Sequence, residues 1–367
     1  MPYAVSNIYK NFLIMESPFQ EVPSSLKLWI SVPSYRKLFI LNDLSIIMSL
    51  RGVFEPYENK EEEKIFGREK EIKEVEKRLR SKKPVMIMGF RRVGKSTVAY
   101  AAARRFARER VAHIYCSNNL DSDRFQELVE RQFRRIITQE SKTRGASFEG
   151  GIPFAKASVE ESHTWTYEFS IEDYCNDNCV IILDEVHKIN NPNVLKDILK
   201  FSRDHLRNAR IILTGSSLPY MVKLFEKFKV QKTTIFPFDH DTAIEFMERG
   251  FGENGCENCI DYDYIYSVVG GAPGHIIDVA EEIIIENKGY SEAVMSVYYE
   301  QKEKLLEDIN KLFGYEVVDS VKCFLGYSET NCSHEIIEHI EKLGYAFDDP
   351  FVRKVFEEWV QSIERGE

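Results

Sequence analysis

Three kinds of residue pattern are scarce in this chain, and each scarcity excludes something. No stretch is apolar for long enough to cross a bilayer. The most apolar N-terminal run, residues 26–50, is interrupted by Lys27, Pro33, Arg36, Lys37 and Asp43, too polar for a spanning helix or a secretory leader. The expected location is therefore intracellular and cytoplasmic, with no membrane partner. Cysteine is sparse and odd in number, seven in 367 residues, which does not suggest a disulfide framework. Cys256 and Cys259 have metal-ligand or redox spacing and Cys175 and Cys179 stand four apart, but a zinc site needs both pairs to converge. Unrelated thiols are expected, with a local redox or disulfide pair at Cys256/Cys259 as the alternative. Positive charge is also short. A net charge of −10 argues against a surface coated by nucleic acid, although a local basic patch can survive it. Hydrophobic residues at 43% and charged residues at 29% are ordinary for a globular protein with ample core.

What the chain does have is a phosphate-binding loop. Residues Gly89 to Ser96 read GFRRVGKS and fit G-x-x-x-x-G-K-[ST], the loop that wraps the phosphates of a nucleoside triphosphate. Gly89 and Gly94 let the backbone turn tightly and direct its N–H groups at an anion. Lys95 can carry a point charge to the β- and γ-phosphates, and the Ser96 hydroxyl can occupy a Mg²⁺ coordination position. Phe90, Arg91, Arg92, Val93 and Thr97 complete the stretch expected to contact nucleotide. A helix opening at Gly94 points its positive end at the same place. The context agrees: Pro84-Val-Met-Ile-Met88 reads as a buried strand, and the alanine-rich run from Ser96 as a helix.

A second signal lies downstream. Cys179-Val-Ile-Ile-Leu-Asp184-Glu185 is a run of β-formers, a buried parallel strand, ending in two carboxylates. An aspartate at such a strand end suits Mg²⁺, and a glutamate after it suits a general base for the attacking water. A strand that merely ends in a charged turn is the bland alternative, and the phosphate loop upstream decides against it. Arg210-Ile-Ile-Leu-Thr-Gly-Ser-Ser217 is an apolar strand terminating in hydroxyls, so Thr214 or Ser216 is the expected reporter of a γ-phosphate.

Around these motifs, strands near 111–116 and 233–238 and helices near 121–140 and 194–206 complete a strand–helix alternation. It implies an α/β fold, a parallel sheet covered by helices on both faces. Residues 143–168 hold Gly145, Gly150, Gly151 and Pro153, a loop or small hairpin. Before the sheet, Ile72, Val75 and Leu79 mark one face of a charged helix ending about Arg80. From Asp261 the pattern is helical, interrupted at Gly270-Gly-Ala-Pro-Gly274. Residues 291–367 hold 8 Lys and Arg against 17 Asp and Glu, a net −9, and read as a small helical or winged-helix module. Residues 1–58 carry five prolines and no sustained periodicity, and Met48 is an alternative native start.

The ordered motifs resemble the archaeal ATPase family of the STAND class, within the AAA+-like phosphate-loop ATPases, over roughly residues 49 to 360. Ile65-Phe66-Gly67-Arg68-Glu69-Lys70-Glu71 is similar to its hhGRExE signature, which implies that Phe66, Gly67 and Arg68 lie against adenine and ribose. Gly270-Gly-Ala-Pro273 is similar to its GxP turn, which implies that Pro273 packs near the base. Where relatives carry a Gly-Arg pair before the fifth strand, this chain reads Lys229-Val-Gln-Lys232. The expected division is an N-terminal extension of unknown order over 1–58, a P-loop ATPase domain over 59–240, a helical lid over 241–300 and a helical or winged-helix-like module over 301–367; the first 48 residues have no counterpart in the family. The resemblance further implies ATP and Mg²⁺ as cofactors, with Lys95, Ser96 and Asp184 holding them, and a slowly hydrolysing switch that controls a protein partner. The rivals are a DNA-binding regulator or initiator-like ATPase that reads duplex through its C-terminal module, and a scaffold that binds ATP without turnover.

Overall fold

In the computed structural model the chain divides into two compact units, Met1–Ile47 and Met48–Glu367. The structure describes residues 50–54, 65–108, 110–143, 156–159, 165–168, 178–189, 191–206, 208–256, 260–313, 315–327 and 333–365, all in the second unit. Most of the expected N-terminal extension lies outside them.

The apolar runs at 85–88 and 179–183 form the buried strands expected of them. β1 (Val85–Met88), β2 (Val111–Tyr115), β5 (Cys179–Asp184), β6 (Ala209–Leu213) and β7 (Gln231–Thr234) make one sheet in the order β2-β5-β6-β1-β7, with every pairing parallel. Every residue of β1 and β5 is buried, the pattern of strands covered on both faces. A separate antiparallel hairpin joins β3 (Lys156–Val159) to β4 (Trp165–Glu168), in the stretch expected to be a loop or small hairpin. β7 ends earlier than the expected 238. Its partner β1 stops at Met88, and the last bond runs from Ile235 N–H to Met88 O at 2.8 Å; beyond it there is no strand to pair with.

Helix α1 (Glu69–Leu79) buries Ile72, Val75 and Leu79, the face its spacing predicts, and packs on α2 (Lys95–Ala107). α3 (Ser122–Thr143), α4 (Pro192–His205) and α5 (Leu218–Lys227) complete the layers. Then come α6 (His240–Glu253), α7 (Tyr262–Val269), α8 (Pro273–Ile284), α9 (Tyr290–Leu312), α10 (Tyr315–Phe324), α11 (His334–Lys342) and α12 (Pro350–Arg365). Asp239 and Asp261 cap α6 and α7 by accepting from Thr242 and Tyr264 N–H, satisfying donors a helix start leaves free. Residues 52–54 form a short turn of helix that buries Phe54 against Phe246 and Phe251 of α6, at ring distances of 5.3 and 5.2 Å.

Two expectations change. No strand follows β7 among the described residues, so the winged-helix expectation for 301–367 lacks its wing; residues 344–349 are a turn between α11 and α12. The module is held instead by aromatic packing of Tyr345, Phe347 and Trp359 around Phe356, at 5.6, 4.9 and 6.0 Å. The expectation of unrelated thiols is also corrected in part. Cys179 and Cys323 are each disulfide-bonded, since an odd count forbids complete pairing but not individual bridges. Cys116 and Cys256 are free; Cys175, Cys259 and Cys332 lie outside the described residues.

Candidate functional site

Because the sheet is parallel, β1, β5 and β6 deliver their carboxyl ends to one edge, where α/β folds place ligands. β6 lies between the strand of the phosphate loop and the strand of the carboxylates, so its terminal hydroxyls reach the carboxylates beside it.

The loop leaves β1 through Gly89 at φ 144° and enters α2 through Gly94 at φ 94°, values that disfavour any side chain. Lys95 folds back beneath it: Nζ donates to Gly89 O at 3.0 Å and to Phe90 O at 2.7 Å. Burial lowers its ammonium from 10.5 to about 8, against the pull of Glu185 and Asp184. Arg92 is also left-handed, at φ 69°. Its carbonyl accepts from Gly274 N–H at 2.9 Å and its Nε donates to Asp278 at 3.0 Å.

Asp184 is buried and heavily bonded. Its Oδ1 accepts from Ser96 Oγ at 3.1 Å, from the Glu185 N–H at 3.0 Å and from the Thr214 hydroxyl. Its Oδ2 lies 3.2 Å from His113 Nε2. Burial alone would raise the carboxyl, but hydrogen bonds from His113, Thr214 and Ser96 hold it below its ordinary value. Glu185 sits in a left-handed turn at φ 58° and accepts from Ser216 Oγ at 2.6 Å. His187 Nδ1 stands 3.0 Å from Glu185 Oε2 without hydrogen-bond alignment, and burial holds the imidazole below its ordinary pKa. The two expected γ-phosphate reporters thus divide between the carboxylates, Thr214 on Asp184 and Ser216 on Glu185.

On the opposite flank, Arg68 is buried. It donates to Val93 O at 2.8 Å and to Glu71 at 3.0 Å, and its guanidinium lies 4.2 Å from the Phe238 ring centroid. Burial lowers its pKa, opposed by Glu71, and its Nε is buried without a partner. Gly67 turns at φ 65° beneath Phe238. A Cβ placed on Gly94 would stand 3.8 Å from Pro273 and 3.9 Å from Arg68 Nε, so these two of the four residues expected on the base side stand beside the loop. Phe66 instead packs into Phe238 and Phe246, at 6.1 and 5.6 Å.

The donors fit a hard cation. A buried carboxylate kept ionised beside a serine hydroxyl suits Mg²⁺, which takes one or two protein oxygens and completes its octahedron with water and phosphate. No cluster of three or more His, Cys, Asp or Glu poised for a metal occurs among the described residues, and such a site needs none.

Sequence reasoning missed His113, His187 and the contacts of the loop with distant helices. His113 had a faint signal as the polar residue in the apolar strand VAHIY. The pairing of Arg91, itself an expected nucleotide contact, with Asp308 had none: the Arg91 Nε reaches Asp308 Oδ2 at 3.4 Å across 217 residues.

Residues 65–279 match the model of an ATPase domain found predominantly in Archaea. The chain belongs to this family of ATPases. It is a P-loop ATPase of archaeal type, and the five-stranded parallel sheet is the corresponding fold. No curated protein matches the chain in sequence. A Walker-type ATPase of Pyrococcus abyssi shares the fold at 19% identity and a TM-score of 0.53, over 80% of this chain and 97% of that one. More distant are the RuvB Holliday junction branch migration motor of Thermotoga maritima and the AMPPCP-bound DnaA of Aquifex aeolicus. RuvB is 10% identical with a TM-score of 0.35, over 76% of this chain and 83% of that one. DnaA is 17% identical with a TM-score of 0.36, over 80% and 88%. No helix among the described residues of this ATPase is long and apolar enough to cross a membrane.

Proposed function

We propose that this ATPase is a slowly hydrolysing switch in which the state of the phosphate loop is transmitted to the C-terminal helices, and through them to a protein partner. One observation carries the reading: the C-terminal turn is seated on the loop itself. A Cβ on Gly344 would stand 2.8 Å from Gly89 Cα. The Phe90 ring lies parallel to Tyr345, 6.2 Å away and 9° inclined, and Arg91 pairs with Asp308 of α9 at 3.4 Å. With Arg92 held by Gly274 and Asp278, residues 89–92 each contact the helical region. Phosphates arriving in the loop draw Lys95 away from the Gly89 and Phe90 carbonyls. Those same two residues carry Gly344 and Tyr345.

In this reading Lys95 binds the terminal phosphates, and Ser96 and Asp184 hold Mg²⁺. Bound Mg²⁺ neutralises charge on the phosphates. Glu185, oriented by Ser216, takes the proton of the attacking water as general base. Arg68 and Pro273 border the nucleoside end, with the helices from α6 to α8 as the lid. A DNA-reading C-terminal module has weaker support, because phosphate contacts favour the opposite sign to the net −9 of residues 291–367.

Hydrogen exchange with and without Mg·ATP tests the switch. The expected result is altered protection over residues 301–365 in the parent and none in Lys95→Ala, which loses nucleotide binding. Changes confined to the loop in the parent contradict the transmission.

A further inference from the structure

His113 has no part in the motif set, yet it is the residue through which the outermost strand reaches the candidate metal carboxylate. Among the described residues β2 lies at the sheet edge, paired only with β5. In a parallel ladder, a residue's N–H and C=O turn to the same side, and alternate residues turn to opposite sides. The backbone of His113 therefore faces away from β5, where an edge strand ordinarily meets water. Here a side chain takes both groups. Gln132 of α3 donates through Nε2 to His113 O at 2.7 Å, and its Oε1 accepts from His113 N–H at 3.4 Å. The amide thus pins the strand at one residue.

The sheet register then aims that residue's side chain. His113 pairs with Ile182, and Asp184, two residues on, shares the face of Ile182. The imidazole accordingly meets Asp184 on the diagonal, with Nε2 3.2 Å from Oδ2. Its ring is flanked by Tyr115 at 4.5 Å and by Tyr100 of α2 at 6.4 Å, so it has little rotational choice. The direction of the bond follows from the acceptor. An ionised carboxylate has only lone pairs to offer, so Nε2 carries the hydrogen. Three donors converge on Oδ1, and Oδ2 is met from the other side by His113.

We propose that His113 is a positioning residue for the Mg²⁺ carboxylate, and that Gln132, through the backbone of His113, holds it there. The proposal rests on the nucleotide-site reading above. Its logic is that of metal centres generally, where a hydrogen-bonded partner fixes the orientation of the ligating group. Losing such a partner typically costs about 10- to 100-fold in metal affinity.

The test uses the full chain and a fluorescent ATP analogue, titrated once in EDTA and once against increasing MgCl₂. His113→Phe keeps ring volume and removes the donor. Its Mg²⁺ midpoint should rise about 10- to 100-fold, while affinity for the analogue in EDTA and the thermal midpoint stay at parental values. His113→Gln, whose amide N–H can stand where Nε2 stands, should restore the midpoint to within a few-fold. Gln132→Met should shift it in the same direction by less. An unchanged Mg²⁺ midpoint in His113→Phe overturns the proposal. So does an equal loss with Mg²⁺ and with EDTA, the mark of a merely structural residue. Should His113→Phe fail to fold, His113→Gln is compared with His113→Asn, whose amide is too short to reach Asp184; equal midpoints then overturn it. A parent that binds no analogue under either condition contradicts the nucleotide-site reading instead.

Discussion

The contact between Arg91 and Asp308 predicts a gain of function. Asp308 is almost wholly buried, with 1% of its surface exposed. Its Oδ2 receives Arg91 at 3.4 Å, and its Oδ1 is buried with no partner. Burial pushes this carboxyl up, and Arg91 is the main force holding it ionised. If Arg91 moves to bound phosphates, it leaves a buried charge behind. Removing one partner of a fully buried pair costs about 3–5 kcal/mol. Here the separation is long and the Arg91 side chain is 31% exposed, so screening reduces the figure to about 1–2 kcal/mol. Asp308→Asn keeps the shape and removes the charge, so the loop no longer has to break this pair to receive ATP. The expected result is an affinity for ATP about 5- to 30-fold higher, with the thermal midpoint little changed. Equilibrium titration with a fluorescent ATP analogue reads it directly. Parental or weaker affinity in a folded Asp308→Asn protein refutes the idea that Asp308 restrains the loop.

Two further predictions concern the joint between the sheet and the helices. A Cβ on Gly271 would overlap the Phe238 carbonyl oxygen, so Gly271→Ala should destabilise by about 1–3 kcal/mol; an unchanged thermal midpoint contradicts this packing. Asp349 joins Gly271 N–H at 2.7 Å to Val352 N–H at 3.0 Å. Burial raises its carboxyl from 3.8 to about 6 despite those bonds. The folded form therefore holds this proton more tightly than the unfolded chain. The resulting stability is complete below pH 3.8 and lost as pH rises through about 6, roughly 3 kcal/mol in all. His275, which burial lowers from 6.5 to about 4, gives a slope of opposite sign in parent and variant alike. The parental unfolding free energy minus that of Asp349→Asn should thus fall between pH 4 and 6.5, and parallel curves refute the assignment.

The chemistry was legible where it is local. GFRRVGKS and CVIILDE are continuous stretches whose spacing alone sets a loop and a strand end, and the structure brings Lys95, Ser96, Asp184 and Glu185 to one sheet edge. What escaped notice depends on long-range packing. His113 acquires its meaning only when β2 pairs with β5, and Arg91 only when α9 folds back over the loop. The stretch around Tyr345 reads as a short turn before a last helix, and it is one; what the sequence does not show is that Gly344, at φ 106°, lets that turn press against Gly89. The partition of Thr214 and Ser216 between two carboxylates was equally hidden, since a strand ending in hydroxyls does not say which acceptor each will find.

Single-turnover hydrolysis of ATP by Glu185→Gln tests the central claim most directly. The substitution keeps an oxygen to accept from Ser216 and removes the base. The account predicts ATP binding close to the parent and a hydrolysis rate lower by about 10²- to 10⁴-fold. Hydrolysis at the parental rate would contradict it.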